Sequence, residues 1–156
     1  MAKSKPKKTK EPELGAIVEI PLPDGFHGYA RVLDNPLMAF YAIKTRELLN
    51  SDDITKTPIA FKIWVMNSAV MSGRWPIIDR SPLDPGNEVS PWFFKQDTIS
   101  QELSLYQNGV ERPASREECL KLERATVWSA EHAESRLDDH LENRPNRWVE
   151  ALRLKM

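Results

Sequence analysis

PIAFKIWVMNSAVMSGRW, residues 58–75, sets a nearly unbroken apolar run against a Gly-Arg-Trp turn. In its first half Ile59, Phe61, Ile63 and Val65 alternate with Ala60, Lys62, Trp64 and Met66, which gives a strand one wholly apolar face and sends Lys62 to the surface on the other. Such a face must be covered, and the flanking sequence supplies the cover. Upstream, residues 15–22 read as a strand, the Pro-x-Asp-Gly chemistry of PLPDG turns the chain into residues 27–33, and residues 37–44 form a third run bounded by Asn35-Pro36. The acidic link at residues 47–54 has room for a short helix.

Downstream, residues 74–79 read as a further strand, and SPLDPGNEVSP at residues 81–91 has too many turn formers for regular structure and forms an exposed loop. Residues 92–95 and 102–107 are expected to complete the sheet. The chain then switches to helices. Ser115-Arg-Glu-Glu has the capping-box pattern and starts a helix running through Leu122. A second, from Ser129, repeats Ala133, Leu137 and Leu141 every four residues with acids on its other faces, so it should cover the sheet. Pro145 ends it, and Trp148, Val149 and Leu152 suggest a last helical turn packed back onto the body. Strands followed by helices define an α+β fold: a curved, mostly antiparallel sheet that could approach a barrel in its first half, then C-terminal helices.

At 156 residues the chain fits one domain with a real core, expected over residues 14–156 behind a disordered Lys-rich tail at residues 1–13. One cysteine, Cys119, excludes an internal disulfide and a thiol zinc site, which suits a reducing cytoplasm. The N-terminus lacks an apolar signal core, and no segment has the length of apolar sequence that spans a bilayer. Residues 1–13 take five lysines and two glutamates from totals of 22 basic and 23 acidic residues; 17 basic and 21 acidic residues remain, a net charge near −4. A mildly acidic body repels phosphate backbones and attracts a basic partner.

Together with the opening stretch, the strings GFHGYARVLDNPLMAFY, FFKQD and ERPASREECLKLERATVW occur in an order that resembles the immunity protein 26 family, the antidotes to bacterial polymorphic toxins. The resemblance covers residues 14–137. It implies an α+β fold and a cytoplasmic bacterial protein whose partner is a toxin domain, for which a basic nuclease would suit the acidic body.

The chemistry-bearing residues have plainer explanations than catalysis. His132 and His140 lie eight residues apart on one helix, about 12 Å of rise, too far to share a metal, and no HExxH motif exists. Their acidic neighbours read as a solvated helix face. His27, Asp79, Asp84 and Asp97 would make a hydrolase site only by converging in one pocket. Cys119 reads as a small buried thiol, and Gly25 and Gly28 lack the following helix of a phosphate cradle. Trp64, Trp75 and Trp128 read as core or core-edge residues.

The leading expectation is a non-catalytic protein that binds a toxin, with Asp84, Glu88, Trp92 and Lys95 as candidate partner-binding residues and no catalytic, metal or cofactor residue. A nucleic-acid-binding barrel-like module is the alternative, resting on the Lys tail and exposed aromatics; a small hydrolase comes third. Oligomeric state stays open.

Overall fold

The structure, a computed structural model, describes residues 12–83 and 89–154. The expected tail at residues 1–13 falls almost wholly outside the described residues, as do Asp84 and Glu88.

The first half of the chain builds a meander. Strand β1 (Ala16–Pro21) passes through a 3-10 turn at Pro23–Gly25 into β2 (His27–Asp34), which pairs with β3 (Leu37–Tyr41). A short helix α1 (Ser51–Thr55), capped by the Asn50 side chain, precedes β4 (Ile59–Val65). After the single turn α2 (Ser68–Met71) comes β5 (Ile77–Arg80), which returns to the free edge of β1. The Arg74-Trp75 pair therefore belongs to the approach to β5 and not to the strand.

The segment expected to complete this sheet instead founds a second one. Strands β6 (Phe93–Gln96), β7 (Leu103–Gln107) and β8 (Val110–Pro113) run antiparallel. Asn108 and Gly109 both take positive φ between β7 and β8, the geometry a two-residue hairpin needs and Asn-Gly supplies. Helix α3 (Arg116–Leu120) follows with its capping box formed by Ser115 and Glu118. Two unexpected two-residue strands come next. β9 (Glu123–Arg124) lies parallel to β6 in the second sheet, and β10 (Val127–Trp128) lies parallel to β4 in the first. Helices α4 (Ala130–Leu141) and α5 (Arg147–Leu152) end the described chain. The sheets have orders β10-β4-β3-β2-β1-β5 and β8-β7-β6-β9. The first sheet is open, with β10 and β5 as its edges, so the α+β class holds without barrel closure.

The main core lies on one face of the first sheet, where Val18, Ile20, Ala30, Val32, Phe40, Phe61 and Ile63 meet Ala133 and Leu137 of α4. Phe61 stacks on Phe40 at 4.8 Å, and Trp75 meets Phe40 edge-on at 5.7 Å. Gly28 is what lets the helix settle here, because a Cβ on it would stand 2.7 Å from Leu137 Cδ2. Gly15 has a parallel reason: with φ at +82°, its Cβ would meet the Ser81 carbonyl oxygen at 2.3 Å. The opposite face of the sheet carries two smaller clusters, Ile17/Tyr29/Tyr41/Ile54 and Leu33/Leu37/Ala39. Trp64 of β4 joins the sheets, its ring 4.9 Å from Phe93 and 5.5 Å from Tyr106.

Candidate partner-binding face

Strand alternation decides what Trp92 and Lys95 can do together. Three residues apart on one extended segment, they face opposite sides of the second sheet. Trp92 shares its side with Phe94, Leu103 and Leu105, the side that buries Cys119 of α3. It is half-buried, and the Arg112 guanidinium lies 5.7 Å from its ring centroid while bonding Glu118 at 2.8 Å. Lys95 is on the side of Phe93 and Tyr106. Its ammonium lies 5.2 Å from the Tyr106 ring and binds Glu111 at 3.1 Å, and Glu111 also accepts from the Ser104 hydroxyl. These donors hold the Glu111 carboxyl below the usual range, Lys95 first and Ser104 next. Lys95 is thus a paired cation beside Tyr106, and Trp92 is a half-buried ring with the Arg112 guanidinium over it.

Ordered contacts pin both described ends of the 81–91 segment. Arg31 Nη2 donates to the Ser81 and Pro82 carbonyls at 2.8 and 2.6 Å. At the other end Lys62 donates to the Val89 carbonyl at 3.0 Å and Gln107 to the Ser90 carbonyl at 2.7 Å. Lys62 does reach outward, as its strand position demands, and there it ties down this segment. Trp92 follows directly. Extending the β6/β7 register by one residue places it opposite Gln107, which pairs with Val110, an exposed valine at the start of β8. Val89, Trp92 and Val110 therefore gather at one end of the second sheet. Ile99 marks the opposite end, 94% exposed on a turn whose Ile99 and Ser100 N–H groups both donate to Asp97 Oδ1. Asp97 is held below the usual carboxylate range by those two bonds, Ser100 first.

The acidic helix differs from its expected solvated state. Glu134 accepts from Arg74 Nε at 2.8 Å, Arg74 Nη2 at 2.9 Å and the Trp75 indole N–H at 2.8 Å. Asp138 accepts from Lys44 at 3.0 Å and Arg144 at 2.8 Å; Asp139 accepts from Arg144 at 3.0 Å and Asn146 at 2.9 Å; Glu142 pairs with Lys44. The cations come from three separate places in the chain, which is why sequence proximity showed only the acids. His132 stacks on Trp148 at 3.6 Å and His140 meets Phe61 edge-on at 5.9 Å, so both rings serve packing.

The hydrolase set does not assemble among the described residues. His27 Nδ1 contacts the Glu19 carboxylate, and His27 lies opposite Pro21 on β1, whereas Asp79 lies opposite Ile17, four residues and roughly 13 Å along the strand. Asp97 sits on a hairpin of the other sheet. Among the described residues no group of three or more His, Cys, Asp or Glu side chains could hold a metal ion, and no helix is long and apolar enough to cross a membrane.

The chain is an α+β protein, and of its candidate residues Trp92 and Lys95 lie on opposite sides of the second sheet. Residues 13–105 match the family model described as Immunity protein 26, and the chain belongs to that family. The match ends at residue 105, short of the residue 137 reached by the string resemblance. No curated protein matches the chain, and no solved structure does.

Proposed function

We propose that this chain neutralises a bacterial polymorphic toxin in the cytoplasm by binding the toxin domain directly, without catalysis. The observation that carries the reading is the family match, which spans the whole first sheet's meander, the 81–91 segment and β6. The residues assigned to the toxin are Asp84, Glu88 and Trp92, at the end of the second sheet and in the segment leading into it, with Lys95 contributing from the sheet's other side. Support comes from the segment's fixed ends and from the held but half-exposed Trp92 ring, since rigid aromatic anchors dominate interface energies. The acids of α4 are neutralised within the chain, so attraction of a basic toxin falls to Asp84 and Glu88. Charge on a rim acts chiefly on the rate of encounter.

The test is co-expression with the toxin domain encoded beside this gene, followed by binding kinetics on the purified pair. Trp92→Ala is expected to speed dissociation and weaken binding by about 2 kcal/mol or more. Because Trp92 also packs on the α3 side, thermal unfolding of the variant is measured alongside. Asp84→Lys with Glu88→Lys should slow association and blunt its salt dependence. Failure of the wild type to protect cells would sink the immunity reading, and unchanged kinetics in both variants would move the interface elsewhere.

A further inference from the structure

Strand β2 carries a charge into the second face of the first sheet. Arg31 belongs to an otherwise apolar Tyr29-Ala30-Arg31-Val32-Leu33 run and is 4% exposed. A buried charge is normally paired with an opposite one. Among the described residues, no carboxylate lies within ion-pair reach of Arg31. Its two hydrogen bonds to the backbone leave from Nη2 and end on neutral carbonyls, those of Ser81 and Pro82, and its other polar neighbour, the Tyr41 hydroxyl, is neutral too. Its Nε is buried with no partner, alone in this among the side-chain nitrogens and oxygens of the described residues. Tying down two carbonyls needs no charge, and a neutral amide would do it without the desolvation that a guanidinium costs.

The same side chain lines an open cleft of about 530 Å³ between the end of α1 and Ser81-Pro82, with Tyr41, Lys56, Thr57 and Ile59 on its walls. Burial pushes the Tyr41 hydroxyl above its ordinary pKa against the opposing hydrogen bond and charge of Arg31, so the phenol is a neutral group near pH 7 and does not supply the missing negative charge. The cleft is thus lined by a guanidinium whose Nε is unpartnered, a phenol and the exposed Lys56.

We propose that this cleft receives a carboxylate side chain of the protein partner, with Arg31 as its principal donor. The proposal rests on the immunity reading above. A single carboxylate matches one buried guanidinium in charge and in its paired N–H donors. A protein source follows from continuity: Ser81 and Pro82 form one wall and also open the segment assigned to the toxin.

The experiment uses the full chain labelled with ¹⁵N and follows the Arg31 Nε–H signal. The probes are N-acetylglutamate N-methylamide, acetate and, separately, inorganic phosphate, each in chloride buffer. Saturable movement of Arg31 is expected with both carboxylates, about tenfold tighter than at exposed Arg80 or Arg153. Saturation by phosphate but by neither carboxylate would overturn the assignment, as would no saturable response. An Arg31 signal that moves on Asp84→Asn with Glu88→Gln, before any acid is added, would show the charge already satisfied within the chain and would also overturn it. These readings use the folded wild type, so they stand even if an Arg31 variant unfolds. Against the neighbouring toxin, Arg31→Gln should bind at least several-fold more weakly; undiminished affinity with protection retained would remove the carboxylate site and leave the immunity reading intact.

Discussion

Glu134 shows how one carboxylate can decide the role of a tryptophan. The Trp75 ring is fully buried, and its indole N–H and the Arg74 guanidinium converge on Glu134, so the Gly-Arg-Trp turn clamps α4. Trp75→Ala should cost about 3–5 kcal/mol in urea unfolding, whereas Trp75→Phe, which keeps most of the ring but leaves Glu134 short of a donor, should cost roughly 1–3 kcal/mol. A well-folded Trp75→Ala protein that had merely lost its toxin would move the residue to the interface. Buried acids give a second residue-scale prediction. Burial pushes the Cys119 thiol and the Tyr41 hydroxyl above their ordinary values, which lie at about 8.5 and 10. Their folded pKa values exceed the unfolded ones, so the stability they carry is complete below about pH 8.5 and is lost as pH rises toward the folded values. Chemical denaturation between pH 7 and 10 should show that decline, and Cys119→Ala should remove its earlier part. Asp97, Glu111 and Glu118 have the opposite sign, their lowered values making stability present at neutral pH and lost as acid protonates them.

At the scale of elements, local chemistry was legible and sheet membership was not. Ser115-Arg-Glu-Glu specified its capping box in four letters, and Ser115→Ala should cost about 1 kcal/mol of thermal stability, with Ser115→Asp restoring most of it. The apolar alternation of β4 and the four-residue repeat of α4 were equally plain. Strands β6 and β7 were recognised but assigned to the wrong sheet, because pairing partners depend on where a loop leads and not on the strand's own pattern. Strand β8 carries a readable sign, Asn108-Gly109, but its four residues are all exposed and give no apolar rhythm. Strands β9 and β10 have two residues each, too few for any period. Arg31 left a faint trace, a charge in an otherwise apolar strand, while the cations that neutralise α4 left none. The Arg136–Glu123 pair ties that helix to β9 with bonds of 2.7 and 2.9 Å, and Arg136 also lies over Phe61 and Trp128. Arg136→Met should keep the packing and cost only about 1–2 kcal/mol, since Glu123 is partly solvated; a loss near 5 kcal/mol in denaturant unfolding would mean that the charge itself anchors the helix.

At the scale of the molecule, the lysines at residues 1–13 offset much of the acidity of the rest. Deleting residues 1–11, which contain no apolar face, should leave the unfolding temperature and toxin protection unchanged. A drop of several degrees would give that segment a structural part. The six residues from Glu123 to Trp128 have the widest reach of any segment, laying one short strand on β6 and the next on β4. Until they dock, each sheet has a raw edge of unpaired backbone groups, and such edges recruit foreign strands. Residues 123–128 must therefore leave the ribosome before the Phe93-Phe94 edge of β6 and the Trp64-Val65 edge of β4 are covered. Until then the nascent protein keeps those edges open to foreign strands, and a chain truncated before residue 123 should aggregate in place of folding to a less stable form.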